Sequence, residues 1–105
     1  MKSIGLALKL RPGRYEEYKK RHDELWPELA EAMRSRGMSM AIYRYEETLF
    51  VYGAAPSQKE WDELGKDPVT PRWNKYMAEV LQTNERGEIN FIGLPQAFSF
   101  GGFKE

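Results

Sequence analysis

Met38-Ser-Met-Ala-Ile-Tyr-Arg-Tyr-Glu-Glu-Thr-Leu-Phe-Val-Tyr-Gly-Ala-Ala55 holds two runs of strand-forming residues, Met38 to Glu46 and Thr48 to Ala55, with Glu46-Glu47 between them. Two such runs around a short polar break predict a β-hairpin. In the first run Tyr43 and Tyr45 are two apart and share one face, as cross-strand packing residues do. Upstream, Ile4 to Leu10 alternates, with Ile4, Leu6, Leu8 and Leu10 on one side and Gly5, Ala7 and Lys9 on the other. That is a strand with one buried face. Arg11-Pro-Gly-Arg14 ends it.

Tyr15, Tyr18, His22, Leu25, Leu29 and Met33 then recur at steps of three and four, an amphipathic helix. Glu16, Glu17, Lys19, Lys20, Asp23 and Glu24 are expected on its opposite side. Pro27 interrupts the pattern, since it removes a helix hydrogen bond and disfavours helical geometry at Trp26. The helix is expected to kink or break there, with a second piece running from Pro27 to Arg36 and stopping at Gly37. After the hairpin, Ser57 and Glu60 have the spacing of a capping box for a short helix through Leu64. Lys66-Asp-Pro68 breaks it, and Val69 or Pro71 opens another helix through Leu81, with Trp73, Met77 and Val80 on one side. Thr83 to Gly87 reads as a loop, and the apolar tail from Ile89 to Phe103 is expected to hold a last strand. The order strand, helix, strand, strand, helix, strand predicts an α+β, ferredoxin-like β-α-β-β-α-β arrangement over a single domain, residues 1–105.

Four strands with helices on one face leave the other face bare. The tail adds Phe98, Phe100 and Phe103, more apolar surface than one small domain hides. Both features predict a homodimer in which sheets or tails cover one another.

The 105 residues are 41% apolar and 13% aromatic, which argues against disorder. Lys+Arg and Asp+Glu are 16 each, so there is no basic excess to neutralise phosphates, and nucleic acid is not an expected partner. The balance also gives no electrostatic reason to sit on an anionic membrane. No cysteine is present and only one histidine. No disulfide, thiolate nucleophile or metal centre is therefore expected. The start of the chain carries only a short apolar strand before Arg11 and Pro12. No signal peptide or membrane span is expected, and the cytoplasm is the default location.

The single histidine, His22, lies on the apolar helical stripe and is expected to point toward the sheet. One reading is a core histidine bonded to a carbonyl or a tyrosine hydroxyl. The other is a pocket wall, because Tyr18 precedes His22 by one turn and Trp26 follows by one. A hydroxyl, an imidazole and an indole along one ridge suit a small-molecule site. A second cluster is Pro71-Arg72-Trp73-Asn74-Lys75-Tyr76-Met77. There Trp73 offers a flat apolar face for sugar C–H bonds, and Asn74 both donates and accepts hydrogen bonds.

Tyr15-Glu-Glu-Tyr-Lys-Lys-Arg-His-Asp-Glu-Leu-Trp-Pro-Glu-Leu29 resembles the signature of the L-rhamnose mutarotases. Arg72-Trp-Asn-Lys-Tyr-Met77 resembles their second signature and Ala41-Ile-Tyr43 their hairpin, so the likeness spans essentially the whole chain. The resemblance implies a dimeric ferredoxin-like fold, a dimeric α/β barrel, that interconverts the α and β anomers of L-rhamnose without metal or cofactor. It implies His22 as proton donor and Tyr18 as a substrate contact, with Trp73 as the first residue of a substrate-binding pair. Trp26 and Tyr43 join the expected substrate contacts. Two positions depart from the pattern. Asn74 stands where a second tryptophan is usual, and Met40 stands where a substrate tyrosine is usual; both are kept as expected sugar contacts. The helix-to-strand turn is also one residue shorter.

Mutarotation opens a hemiacetal ring and closes it on the other face. The ring oxygen gains a proton while the anomeric hydroxyl loses one, and closure reverses both. An imidazole near pKa 6.5 gives and takes protons at neutral pH. Two other readings remain open on the sequence: a sugar-binding module without turnover, and a haem-binding monooxygenase-like protein with His22 as axial ligand.

Overall fold

A computed structural model describes residues 1–103. Lys104 and Glu105, the end of the expected 1–105 domain, lie outside the described residues. The elements run β1 (Lys2–Lys9), α1 (Tyr15–Asp23), α2 (Pro27–Arg34), β2 (Ser39–Tyr45), β3 (Thr48–Ala55), α3 (Gln58–Lys66), α4 (Val69–Met77) and β4 (Ile92–Gly93), followed by a 3-10 turn, Gly101–Phe103. The four strands form one antiparallel sheet in the order β2-β3-β1-β4. The fold is a small α+β structure.

The hairpin forms as its alternation dictates. Tyr45 pairs with Thr48 and Ala41 with Tyr52. Glu46 closes the turn with φ 54°, a left-handed conformation uncommon outside glycine. Pro27 breaks the first helix outright. Trp26 is extended (φ −58°, ψ 129°), as a residue before proline must be, and Pro27 starts α2 where its missing N–H costs nothing. Gly37 at φ 68° ends that segment, and the Met38 N–H donates to the Met33 carbonyl.

Two expectations are corrected, and the expected tail strand forms. Ser57 and Glu60 do not cap backbone amides, because the Ser57 hydroxyl donates to the Glu60 carboxylate, 2.8 Å away. The second long helix ends at Met77 instead of Leu81. The Arg11 side chain donates there to the carbonyls of Ala78 and Leu81, and Leu81 bridges to Leu10. The tail strand is only two residues long. Its edge is tied down by the Leu94 N–H donating to the Gly5 carbonyl, and Pro95 then removes the next donor.

The core lies between the sheet and the helices. Leu8, Leu10, Leu49 and Val51 face Tyr18, Leu29, Val69, Trp73 and Met77. Packing of α3 on β3 requires a glycine. The Trp61 indole lies against Gly53, and its Nε1 donates to the Lys2 carbonyl, 3.0 Å away. The opposite face of the sheet carries Tyr43, Tyr45 and Tyr52, all exposed, and the apolar tail runs beside it. No helix among the described residues is long and apolar enough to cross a membrane.

Candidate active site

Tyr15, Tyr18 and His22 stand on the sheet-facing stripe of α1, at the spacing the sequence gives them. Tyr18 is buried and His22 half-buried. Their rings meet at 4.3 Å between centroids. Across from α1, Trp73 of α4 presents its ring to the imidazole edge-on at 5.3 Å. Trp26, in the break between α1 and α2, packs at right angles to Trp73 at 5.1 Å and stacks on Tyr76 at 5.3 Å. His22 is therefore framed by aromatic rings and opens onto a cleft of about 290 Å³. The cleft is lined by Tyr15, Tyr18, Lys19, His22, Asp23, Ile42, Tyr43 and Leu49. That is near the lower bound of ordinary small-ligand pockets, about 300 Å³.

The imidazole is oriented by its backbone. Nδ1 lies 3.1 Å from the Tyr18 carbonyl oxygen, an atom that only accepts. Nδ1 therefore carries a proton and donates it, and Nε2 is the nitrogen left for a ligand. Burial lowers the His22 pKa, against the smaller opposing pulls of that carbonyl and of Asp23. Burial raises the Tyr18 phenol above its usual value near 10. Tyr18 thus keeps its proton and can donate a hydrogen bond, but it is a poor base.

The expected site residues fall into two groups. Tyr18, His22 and Tyr43 border the cleft. Trp26 and Trp73 stand behind the imidazole; Trp73 is 9% exposed, so its ring packs into neighbours instead of offering an open face. Asn74 follows Trp73, half-buried, and its side chain makes no hydrogen bond among the described residues. Met40 projects from the same side of β2 as Ile42 but outside the cleft, and is exposed.

Lys19 and Asp23, expected on the far side of α1, stand on the cleft rim and pair at 2.9 Å. Each is one residue, about 100° of helix, past Tyr18 or His22, so both sit at the stripe's border. Tyr15 was legible from the stripe, whereas Ile42, Leu49 and the Tyr76 stack carried no signal beyond apolar patterning. Tyr43 borders the cleft although its side chain belongs to the bare side of the sheet, where its ring lies 6.1 Å from that of Tyr52. It also borders a larger hollow of about 1240 Å³ on that bare side, between Gly5, Ala41, Tyr52 and the tail phenylalanines. Among the described residues that line this hollow there is neither the imidazole nor an acidic side chain. Among the described residues no three His, Cys, Asp or Glu side chains converge as a metal site would require.

Comparison with known proteins bears on the same region. A model of the L-rhamnose mutarotase family matches residues 3–100. An L-rhamnose mutarotase of Listeria monocytogenes is 34% identical over 101 residues, covering 93% of this chain and 97% of the relative. That of Bacillus subtilis is 39% identical over 88 residues, covering 81% and 85%. The crystal structure of an L-rhamnose mutarotase from Formosa agariphila superposes with a TM-score of 0.81 at 28% identity, covering 96% of this chain and all of that one. A NIPSNAP domain protein from Burkholderia xenovorans shares the fold at TM-score 0.63 and 13% identity.

Proposed function

The chain belongs to the L-rhamnose mutarotase family, and from that premise we propose that it interconverts the α and β anomers of L-rhamnose or a closely related aldose, with His22 moving the proton. The observation that carries this reading is the half-buried imidazole, tied at Nδ1 and open to a cleft of monosaccharide size.

The chemistry follows from the tie. Nδ1 is committed to the Tyr18 carbonyl in both protonation states, so Nε2 does the exchange. Protonated at Nε2, His22 donates to the ring oxygen as the C1–O5 bond breaks, and the anomeric hydroxyl gives up its proton to water. Rotation about C1–C2 turns the aldehyde, and the reverse transfers close the ring on its other face. Desolvation makes the imidazolium a stronger acid while leaving neutral imidazole abundant at pH 7, which suits a group that works in both directions. Tyr18 holds its proton and steadies a sugar oxygen. Tyr43 closes one side of the cleft and Trp26 and Trp73 back the imidazole, while Asn74 and Met40 do not line the cleft and are not proposed as sugar contacts. Asn74 and Met40 stand where the family pattern has aromatic residues, so the sugar panel below includes aldoses besides L-rhamnose.

The strand order and antiparallel pairing support a ferredoxin-like domain. The bare sheet face supports a homodimer closing into an α/β barrel, since Tyr43, Tyr52, Phe98 and Phe100 are all exposed in one chain. A cytoplasmic location is part of the same reading.

The direct test is a panel of aldoses, L-rhamnose first, followed by saturation-transfer NMR. Accelerated anomer exchange on one or more sugars is expected. Sugar binding with exchange at the rate in water would mean a binding module instead.

A further inference from the structure

We infer that Arg21 is a positioning residue for this site: by clamping α1 to the end of α4 it fixes the angle between the His22 imidazole and the Trp73 wall. The inference rests on the mutarotase reading for its activity arm only.

Arg21 adjoins His22 in sequence, on the border of α1 that meets α4. Its Nη1 donates at 2.6 Å to the Tyr76 carbonyl, one of the last carbonyls of α4, which also accepts a longer bond, 3.4 Å, from the Glu79 N–H. Its Nε donates to Glu17 at 2.8 Å, and Nη1 also lies 3.0 Å from the Glu79 carboxylate. The guanidinium carbon sits 3.9 Å above the Tyr76 ring. The side chain is only 13% exposed, while Glu79 beyond it is 63% exposed.

A planar cation held by a carbonyl, two carboxylates and a ring face has little freedom to turn. The ring it covers leads straight to the site. Tyr76 stacks on Trp26, Trp26 abuts Trp73, and Trp73 meets His22. Arg21 and His22 thus leave the same turn of α1 and grip the same pair of α4 aromatics from two sides. The other polar link from α4 to this region, Arg72 to Glu28, is exposed at both ends and is worth little. Misplacing a proton-transfer group by about 1 Å costs up to about a hundredfold in rate.

The test compares wild type, Arg21→Met and Arg21→Lys. Met keeps the aliphatic stem. Lys keeps the charge between Glu17 and Glu79 and serves if Met fails to fold, but it loses the flat stack and the fork. Two readouts are taken on folded protein: kcat and KM for anomer exchange, and the ring-proton shift of His22, the only imidazole in the chain. Positioning predicts a fall in kcat of about tenfold in Met and a smaller fall in Lys. KM should stay within about twofold, and the His22 resonance should move as its place against the Trp73 ring changes. An unchanged kcat, a rise in KM alone, or a His22 resonance that stays put would overturn the inference. If wild type accelerates no sugar, the mutarotase reading fails by itself, and the His22 resonance alone then decides whether Arg21 sets the imidazole.

Discussion

The Nδ1 of His22 is held 3.1 Å from the carbonyl oxygen of Tyr18, one helical turn earlier. That bond assigns the proton on Nδ1 and leaves Nε2 as the only ring nitrogen able to exchange one. Helix spacing, burial and chemistry meet at this contact. The i, i+4 step sets the two residues together, the core shields the ring, and the carbonyl chooses the tautomer.

The burial of His22 has a consequence for stability. Its folded pKa lies below the ordinary value of 6.5 because desolvation penalises the charged ring. The unfolded chain therefore binds the proton more readily, and stability must fall as pH drops through about 6.5 and on through the folded pKa. Thermal unfolding at about pH 7.5 and about pH 5.5 should show this fall, and His22→Asn should lose less over the same interval. An equal loss in the variant would assign the effect to other groups.

Trp73 is part of the core as well as the wall behind the imidazole. Trp73→Ala removes a buried indole and should cost about 3–5 kcal/mol, read as a lower urea midpoint. Trp73→Phe refills part of the space and should cost less, which makes it the usable probe of sugar binding. Equal stability of Trp73→Ala and wild type would show that this ring is not core.

Gly53 has no room for a side chain. A β-carbon there would collide with the outer carbons of the Trp61 indole, pushing it off the Lys2 carbonyl. Gly53→Ala should lose about 1–3 kcal/mol of stability, while Gly65→Ala, in open space, should not. Urea unfolding of the two variants separates them, and indistinguishable midpoints would contradict the packing described.

The bare face of the sheet predicts the assembly. Sedimentation of wild type should report twice the monomer mass. Tyr52→Glu places a carboxylate in the middle of that face, where pairing would bury it unpaired, and should sediment as a monomer. A monomeric wild type, or a variant still dimeric, would leave the sheet face without the proposed role.

Local signals carried most of the scaffold. The two hairpin strands lie within about one residue of their sequence bounds because alternation and turn chemistry are local, and Pro27 breaks the helix for a reason contained in three residues. The inward aim of His22 was legible in the Tyr15, Tyr18, His22 stripe. The site's far wall was not. The Trp26, Trp73 and Tyr76 stack joins segments some fifty residues apart, which no periodicity encodes. Lys19 and Asp23 looked solvated because the border of a helical stripe is ambiguous by one residue. Arg21 lay unremarked inside a run of charges, and only the position of Tyr76 gives it a partner. The tail's two-residue strand depends on Gly5 and Leu6 being available at the sheet edge, a long-range condition.

The most direct measurement is anomer exchange of L-rhamnose by saturation-transfer NMR with wild type and His22→Asn at matched concentrations. Wild type should raise the exchange rate well above that in water, and the folded variant should lose most of that increase. A variant that exchanges the sugar as fast as wild type would remove His22 from the reaction.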